Sequence, residues 1–267
     1  MRISVVIPSY NRAGSLPSAL LSAAHQTRPP EEIILVDDGS TDGTEAVVAR
    51  LGLPGLRYIR QGNAGGGAAR NAGVAAARGD WIAFHDSDDV WLPHKLERLA
   101  AARERHAAAA PEVIFSAFSL FDPARRRLRL MPEALARRRG ASLLLEEPLR
   151  EARALTANPI STQTLLVSRA AFARAGGFDP ALRRFQDWDL ALRLAGEAPW
   201  AYVPEPLVHV ALSPNSVTRD HAAGLAARRR LLDAHAGLYA RAGGALWRAR
   251  ADLWLRRLAG ALGRAGA

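Results

Sequence analysis

Residues 81–91 read Trp-Ile-Ala-Phe-His-Asp-Ser-Asp-Asp-Val-Trp, and this stretch decides how the first half of the chain folds. Its first four residues are apolar and predict a short buried strand, which Asp86, Asp88 and Asp89 follow closely. In open α/β sheets the carboxyl ends of strands face the ligand crevice. Carboxylates this close repel one another unless a cation or hydrogen-bond donors neutralise them, and oxygen ligands suit a hard divalent ion. An acidic loop that caps a helix starting near 92–93 is the structural alternative.

Apolar segments upstream of this stretch alternate with helical patterns. In chain order we predict strand 3–7, helix 15–26, strand 32–36, helix 44–51, strand 56–59, helix 68–77 and strand 81–84. This alternation is typical of a parallel sheet whose crossover helices cover both faces. The first half of the chain therefore predicts a doubly wound α/β fold of the nucleotide-binding type.

The second half of the chain gives weaker patterns. We predict helix 92–106, strand 113–121, a hairpin tip or surface loop at 125–129, a helical stretch at 142–145, strand 164–167, helix 169–175, a helix from 185, and short strands 200–203 and 207–210. From 221 the pattern is helical, and aromatic residues and leucines recur at helical spacing between Trp247 and Leu262. These helices either pack on the body as a hairpin or lie on a membrane as a basic amphipathic helix.

The composition of the chain excludes several classes of protein. It has 267 residues, no cysteine and a net charge of +10, so disulfides and thiolate chemistry are excluded. No apolar run is long enough to span a membrane, and Met1 leads directly into a strand pattern. We therefore expect a cytoplasmic protein, including one held peripherally at the inner face of the cell membrane. The charge comes with no nucleic-acid-binding signature, and an anionic membrane or lipid-linked substrate explains it equally well.

Polar side chains follow each of the first four predicted strands. In chain order these groups are Ser9, Tyr10 and Asn11; Asp37, Asp38 and Asp42; Asn63 and Arg70; and Asp86 and Asp88. Sequential parallel strands would bring them together at one edge of the sheet. A uridine diphosphate needs an aromatic face for its base, a carboxylate for its ring N–H, and a metal ion and a cation for its phosphates. These side chains supply that set.

Six motifs in this order resemble the family-two glycosyltransferases with the GT-A fold. They are Pro-Ser-Tyr-Asn at 8–11, Val-Asp-Asp-Gly-Ser-Thr-Asp at 36–42, Asn-Ala-Gly-Gly-Gly-Ala-Ala-Arg-Asn-Ala-Gly at 63–73, Asp-Ser-Asp-Asp at 86–89, Gly-Gly-Phe-Asp at 176–179 and Gln-Asp-Trp-Asp-Leu at 186–190. The resemblance covers residues 1 to about 218. It implies a Rossmann-like GT-A domain over 1–218, with a nucleotide-binding half at 1–91 and an acceptor-side half at 92–218, and leaves 219–267 as a helical extension.

The resemblance also implies an activity. Such a protein is an inverting hexosyltransferase that uses Mn²⁺ or Mg²⁺ and moves a sugar from a nucleotide sugar, expected to be UDP-linked, to a hydroxyl group. The acceptor is expected to be a glycan or a lipid-linked glycan, as in the synthesis of cell-surface polysaccharides. A sugar-nucleotide-binding module without turnover and a nucleotidyltransferase are the alternative classes, while nucleic acid is not an expected partner.

Each matching position takes a role from the resemblance. Asp187 matches the general base, Asp88 is the expected metal ligand, and Asp86 touches the ribose and the metal. The expected nucleotide-binding residues are Pro8, Ser9, Tyr10, Asn11, Asp38, Asn63, Arg70, Asp86 and Ser87. The expected acceptor-side residues are Asn158, Thr162 and Trp188. The histidine that many relatives place after their last strands corresponds here to Ser213, so His209 is either a third metal ligand or a packed core histidine.

Several of these residues have structural alternatives. Tyr10 fits a core aromatic, Asp38 a loop cap and Asp42 a helix cap. Asp89 fits a capping or salt-bridged residue, and Asp189 a charge in the first turn of a helix. If Asp187 is the base, desolvation by Phe185 and Trp188 and the charge of Asp189 are expected to raise its pKa toward neutral, where a carboxylate base works best.

Overall fold

The computed structural model of the protein describes residues 1–122, 127–132, 135, 140–148, 155, 157–196, 198–211 and 221–241. Its first four strands are β1 (Ile3–Ser9), β2 (Glu32–Asp37), β3 (Leu56–Arg60) and β4 (Trp81–Phe84). They lie in the order β3-β2-β1-β4, and each neighbouring pair is parallel. Every residue of β1 and β2 is buried, as expected for strands that are covered on both faces. The predicted α/β class is confirmed.

Three helices connect these strands, namely α1 (Leu16–Ala24), α2 (Thr44–Leu51) and α3 (Gly66–Ala76). Alternate residues of β1 point to opposite faces, so Val6 packs with α3 while Val5 and Ile7 pack with α1. Helix α3 approaches the sheet closely at Gly73, because a Cβ added there would lie only 2.4 Å from Cγ1 of Val6. Glycine at this position therefore sets the depth at which α3 sits on β1.

The second half of the chain extends the same sheet. Its strands are β5 (Val90–Trp91), β6 (Val113–Asp122), β7 (Arg127–Met131), β8 (Leu143–Leu145), β9 (Leu165–Ser168) and β10 (Trp200–Ala211). Strand β9 runs antiparallel to both β4 and β6, whereas β10 runs parallel to β6. Strands β5 and β8 pair antiparallel with β10, and β7 with β6. The sheet is therefore mixed, and its parallel part is β1 to β4 together with the β6–β10 pair.

The remaining helices cover this sheet and each other. They are α4 (Lys95–Arg105), α5 (Arg169–Arg174), α6 (Gln186–Leu194), α7 (His221–Ala234) and α8 (Ala236–Arg241), with short 3-10 turns at Ala107–Ala109 and Thr162–Thr164. Helices α7 and α8 bury Leu231, Leu232 and Tyr239 against Trp188 and Leu192 of α6. The described helices of the C-terminal region, α7 and α8, therefore pack on the body of the protein. The amphipathic segment between 247 and 262 lies outside the described residues.

Three local predictions were wrong. The helical stretch predicted at 142–145 is strand β8, which is held in place by β10. The two short strands predicted around Pro204 and Pro206 are one strand, β10, whose register shifts on both sides of Pro206. Proline has no N–H to donate to a ladder, so such a residue is accommodated at an irregularity. The helix predicted from 92 begins at Lys95, since residues 90–91 form β5.

The described parts of the chain contain no helix that combines the length and the apolar character needed to cross a membrane.

Candidate active site

A cavity of about 360 Å³ opens where β1, β2 and β4 end. Its lining residues are Pro8, Ser9, Tyr10, Arg12, Asp38, Gly66, Arg70, Asp86, Ser87 and Asp88. The cavity therefore brings together most of the residues predicted to bind a nucleotide. Asn11 and Asn63 are exposed instead, and Asn11 bridges two loops by donating from its backbone N to Ser40 and accepting from the backbone N of Thr41.

One end of this cavity suits a planar base. The side chain of Tyr10 is 48% exposed, so its ring is available for stacking and the core alternative for Tyr10 was wrong. The buried carboxylate of Asp38 accepts from Nε2 of Gln61 at 2.7 Å and from the backbone N atoms of Ala64 and Gly65 at 2.9 and 2.7 Å. A carboxylate offers about four acceptor sites, so the Asp38 loop contacts leave one for a ligand N–H. The buried hydroxyl of Ser9 has no hydrogen-bond partner among the described residues.

Asp37 and Asp42 serve the structure of the loops around this cavity. Hydrogen bonds from Ser40 and Tyr58 outweigh the effect of burial and lower the pKa of Asp37. Asp42 accepts from the backbone N of Thr44 at 3.2 Å, in the first turn of α2, and from the backbone N of Ala13 at 2.9 Å. The cap residue of α2 is Gly43, and Asp42, one position before it, accepts from the first backbone N–H of the helix and so stabilises this end of α2.

The acidic loop after β4 is neutralised by two arginines. Nη2 of Arg70 donates to Asp86 at 2.6 Å, and Nη2 of Arg12 lies 3.2 Å from Oδ2 of Asp88. Burial and the neighbouring charge of Asp86 raise the pKa of Asp88. Burial, Asp86 and Asp88 together raise the pKa of Asp89 well above its usual range. Among the described residues, the side chain of Asp89 has neither the capping contact nor the salt bridge that the sequence offered as its alternative.

The donor set of this loop fits a hard divalent cation. Asp86 and Asp88 present carboxylate oxygens to the cavity, and their mutual repulsion would be relieved by a cation between them. Within the described ranges there is no group of three or more His, Asp or Glu residues that could hold a metal ion, and His209 is therefore not grouped with this pair. His209 is an exposed residue of β10 that hydrogen-bonds to Ser119, so its alternative as a packed core residue was wrong. Further ligands would come from a diphosphate and water.

A second cavity, of about 380 Å³, lies at the beginning of α6. Its lining residues are Arg70, Asn158, Thr162, Arg183, Arg184, Phe185, Gln186 and Asp187. Arg70 lines both cavities, so the two share a wall. The predicted base, Asp187, and two of the predicted acceptor-side residues, Asn158 and Thr162, thus lie together, next to the cavity of the acidic loop.

Asp187 is poised to exchange a proton near neutral pH. Burial is the main cause that raises its pKa to about 6, and the charge of Asp86 adds to the shift. Hydrogen bonds from the backbone N of Trp188, at 2.9 Å, and from Asn158 oppose the shift, as does Arg70. The sequence predicted that the charge of Asp189 would raise the pKa of Asp187, but the carboxylate that does so is Asp86.

Helix α6 directs its first residues to two different sides. Trp188 is 3% exposed and packs in the core between α6 and α7, which corrects its expected place on the acceptor side. Asp189 is likewise buried, and it pairs with Arg193 and with Nε2 of His235, the latter at 2.8 Å. The helix begins after Phe185, whose φ of 61° is uncommon for a residue other than glycine and marks a backbone held by its surroundings.

Several residues of this region escaped the sequence prediction. Asn71 of α3 donates to the carbonyl of Phe178 at 2.8 Å and accepts from its backbone N at 2.9 Å, which ties α3 to the segment before α6. Gln186 accepts from Arg70 at 3.2 Å. Arg12 and Asn71 both lie in or beside the quoted motifs, so their position along the chain was the available signal. Arg183 and Arg184 gave none beyond their proximity to Asp187.

The parallel sheet and the two adjoining cavities at its carboxyl edge define a Rossmann-like GT-A protein. The sequence profile of the glycosyl transferase family 2 matches residues 4–154, which is more than half of the chain, and the chain belongs to this family.

Relatives and solved structures agree with this assignment. The chain is 28% identical over 210 residues to an uncharacterized glycosyltransferase of Haemophilus influenzae, covering 78% of this chain and 67% of the relative. It is 40% identical over 133 residues to the succinoglycan biosynthesis protein ExoO of Rhizobium meliloti, covering 49% of this chain and 37% of ExoO. The S. aureus TarS 1–349 structure in complex with UDP-GlcNAc shares its fold, with a TM-score of 0.71 and 20% identity, covering 86% of this chain and 65% of TarS 1–349. The chain thus spans about a third to two thirds of these proteins.

Proposed function

We propose that this protein is an inverting glycosyltransferase that moves a sugar from a UDP-sugar to an acceptor hydroxyl, with Asp187 as the general base. The observation that carries the proposal is the shared wall of the two cavities. Arg70 lines the cavity of Asp86 and Asp88 and also the cavity of Asp187, so a donor in the first would meet an acceptor in the second. The proposed catalytic unit spans 1–218, with 1–91 on the donor side and 92–218 on the acceptor side.

Donor binding uses the residues of the first cavity. The exposed ring of Tyr10 stacks on the uracil, the free acceptor site of Asp38 takes its ring N–H, and Asp86 reaches the ribose. Arg70 and Arg12 are the cations that lie close enough to offset the charge of a diphosphate. A structure of TarS with UDP-GlcNAc exists on the same fold, and this supports a uridine nucleotide as the donor.

Transfer is a single displacement at the anomeric carbon. The acceptor hydroxyl approaches from the second cavity, on the face opposite the leaving diphosphate. Asp187 removes its proton, a new C–O bond forms, and the bond to the diphosphate oxygen breaks with its electron pair. A base with a pKa of about 6 is largely ionised at neutral pH and still basic enough to accept the proton.

A Mn²⁺ or Mg²⁺ ion would be held by Asp88 and Asp86. When bound, such an ion neutralises the charge that develops on the departing diphosphate. Asp86 and Asp88 supply carboxylate oxygens only, which is the chemistry that these ions prefer.

The acceptor is proposed to be a growing surface polysaccharide or a lipid-linked glycan. The relationship to ExoO, which is named for succinoglycan biosynthesis, supports this class. A peripheral position at the inner face of the cell membrane, with the C-terminal helices as the contact, belongs to the same proposal.

The experiment combines binding with turnover. Melting temperatures are measured with a panel of nucleoside diphosphates and nucleotide sugars, with and without Mn²⁺, because a ligand of the folded state raises the melting temperature. We expect a Mn²⁺-dependent rise with UDP that is lost in Asp88→Ala. In Asp187→Asn the rise should remain while transfer falls by about 10²–10⁴-fold. An Asp187→Asn protein that transfers at a near-normal rate would rule out Asp187 as the base.

The same proteins and ligands also test one alternative function, a binding module without turnover. A sugar-nucleotide-binding module would show the UDP shift but would release no UDP from any nucleotide sugar, with or without acceptors. The absence of a shift with every nucleotide would contradict both functions.

A further inference from the structure

The second cavity carries more positive charge than its proposed chemistry needs. Three arginines line it, Arg70, Arg183 and Arg184, against one carboxylate, Asp187. Arg70 is already paired with Asp86 at 2.6 Å. The other lining residues, Asn158, Thr162, Phe185 and Gln186, are neutral. Among the remaining charged residues that line the space where an acceptor would bind, Arg183 and Arg184 thus outnumber Asp187.

The two arginines differ in how firmly they are held. Arg183 is exposed and makes no ion pair with any residue that the structure describes. The Cζ atom of Arg184 lies 5.4 Å from the centre of the Phe185 ring. Its guanidinium also lies against Gly224 of α7, where an added Cβ would be 2.6 Å from Nη1. Arg184 is thus held by two neighbours at the edge of the cavity, and Arg183 is available to a ligand.

We propose that Arg183 and Arg184 bind an anionic group of the acceptor, a carboxylate or a phosphate, close to the hydroxyl that is attacked. This inference rests on the proposed function, because it takes the second cavity as the acceptor site. A guanidinium matches the geometry of both anions and binds either with two hydrogen bonds. The cavity, at about 380 Å³, is in the size range of small-molecule sites. The protein therefore selects acid-bearing acceptors over neutral ones.

The donor does not account for these two arginines. Its diphosphate belongs with Asp86 and Asp88 in the first cavity, which Arg12 and Arg70 line and which Arg183 and Arg184 do not. Both residues precede Asp187 by only three or four positions, in the segment that leads into α6. Because both also line the cavity of Asp187, a molecule bound beside Asp187 would meet their positive charge.

Matched sugars test the proposal without transfer. The wild-type protein is loaded with UDP and Mg²⁺, and the affinities of phenyl β-glucoside, phenyl β-glucuronide and phenyl β-glucoside 6-phosphate are measured by calorimetry. We expect at least one of the two charged sugars to bind about tenfold more tightly than the neutral one. The sugar that gains more distinguishes a carboxylate from a phosphate as the natural group. Equal affinities, or no binding by either charged sugar, would overturn the proposal.

Variants assign the preference to the two residues. Arg183→Gln and Arg184→Gln should each lose most of the preference and keep the affinity for UDP. Arg229→Gln is the matched control, because it removes the same charge from an exposed arginine outside the cavity. Variants that keep the preference, or that lose affinity for UDP instead, would overturn the assignment.

A further variant moves one charge without removing it. In Gly224→Ala the new Cβ displaces the guanidinium of Arg184, while alanine is the better helix former in α7. We expect a weaker preference for the charged sugar with an unchanged or higher melting temperature. An unchanged preference would remove Arg184 from the site. Release of UDP from UDP-sugars into water, measured separately, tests the proposed function, so its failure can be told apart from failure of this inference.

Discussion

Arg70 donates to Asp86 at 2.6 Å and to Gln186 at 3.2 Å, using its two terminal nitrogens. Asp86 follows β4, whereas Gln186 is the first residue of α6 and directly precedes Asp187. One planar group thus connects the acidic loop to the helix that carries the proposed base. A single side chain of α3 thus bridges two segments whose contact residues lie 100 positions apart in sequence.

Arg70→Lys tests whether the positive charge at position 70 is enough for transfer or whether the two hydrogen bonds of the guanidinium are also needed. Lysine keeps the positive charge but has no fork with which to reach both partners. We expect transfer to fall by about ten- to a hundredfold, the loss typical of a charge-assisted hydrogen bond, while the protein stays folded. Arg78→Lys, at an exposed position just after α3, is the control and should transfer normally. Initial rates of UDP release, with saturating acceptor, measure both variants. Full activity in Arg70→Lys would show that charge alone is sufficient.

The pH dependence of transfer should follow Asp187. Burial raises the pKa of this carboxyl to about 6, and only its ionised form accepts a proton. The value of kcat/KM is therefore expected to rise tenfold per pH unit below about 6 and to level off above it. The affinity for UDP is measured over the same pH range. It shows whether the fall of kcat/KM at low pH comes from protonation of Asp187 or of the acidic loop. A kcat/KM that is flat through pH 6 would contradict the assignment.

Asp187→Asn should make the protein more stable at neutral pH. The folded pKa of about 6 exceeds the ordinary value of 3.8, so between these values the folded state binds more protons than the unfolded state. Stability contributed by the neutral carboxyl is therefore lost as pH rises through this window. We expect the variant to gain about 1–2 kcal/mol at pH 7 and nothing below pH 3.8, by denaturant unfolding. A variant that is less stable at pH 7 would show that hydrogen bonding to the carboxylate outweighs burial.

Arg12→Gln should increase the affinity of the free protein for Mn²⁺. A cation that binds Asp88 competes with the guanidinium of Arg12, which lies 3.2 Å from one oxygen of that carboxylate. The pair is partly exposed, so the gain is expected to be about two- to fivefold. Free Mn²⁺ is measured by electron paramagnetic resonance without nucleotide. Arg50→Gln, which changes an exposed arginine of α2, should leave the affinity unchanged. A lower affinity in Arg12→Gln would mean that Arg12 supports the metal site.

The parallel half of the fold could be predicted because its signals are local. Strands such as β1 and β2 are buried on both faces, so they are mostly apolar, and the loops after them hold polar residues of the first cavity. Helix α2 was predicted with its observed ends. The clustering of Asp38, Asp86 and Asp88 follows from parallel strands that all end at one edge of the sheet.

The second half of the chain depends on contacts that are distant in sequence. Trp188 and Asp189 are buried because α7 and α8 cover that side of α6, and one of the two partners of Asp189 is His235, 46 positions away. The leucines at 143–145 have no strand signal of their own and become β8 by pairing with β10. Periodicity within a short segment contains no information about which surface a later segment will cover.

The close contact between Gly73 and Val6 limits how this protein can be redesigned. Any larger residue at 73 would lift α3 from the sheet, and α3 carries both Arg70 and Asn71. A mutant library aimed at new sugars or acceptors should therefore leave Gly73 and Val6 unchanged. The informative positions are those that line the two cavities from the surface, Tyr10 in the first cavity and Asn158, Arg183 and Arg184 in the second. Diversity placed there changes what is recognised while the frame that holds the reacting groups stays fixed.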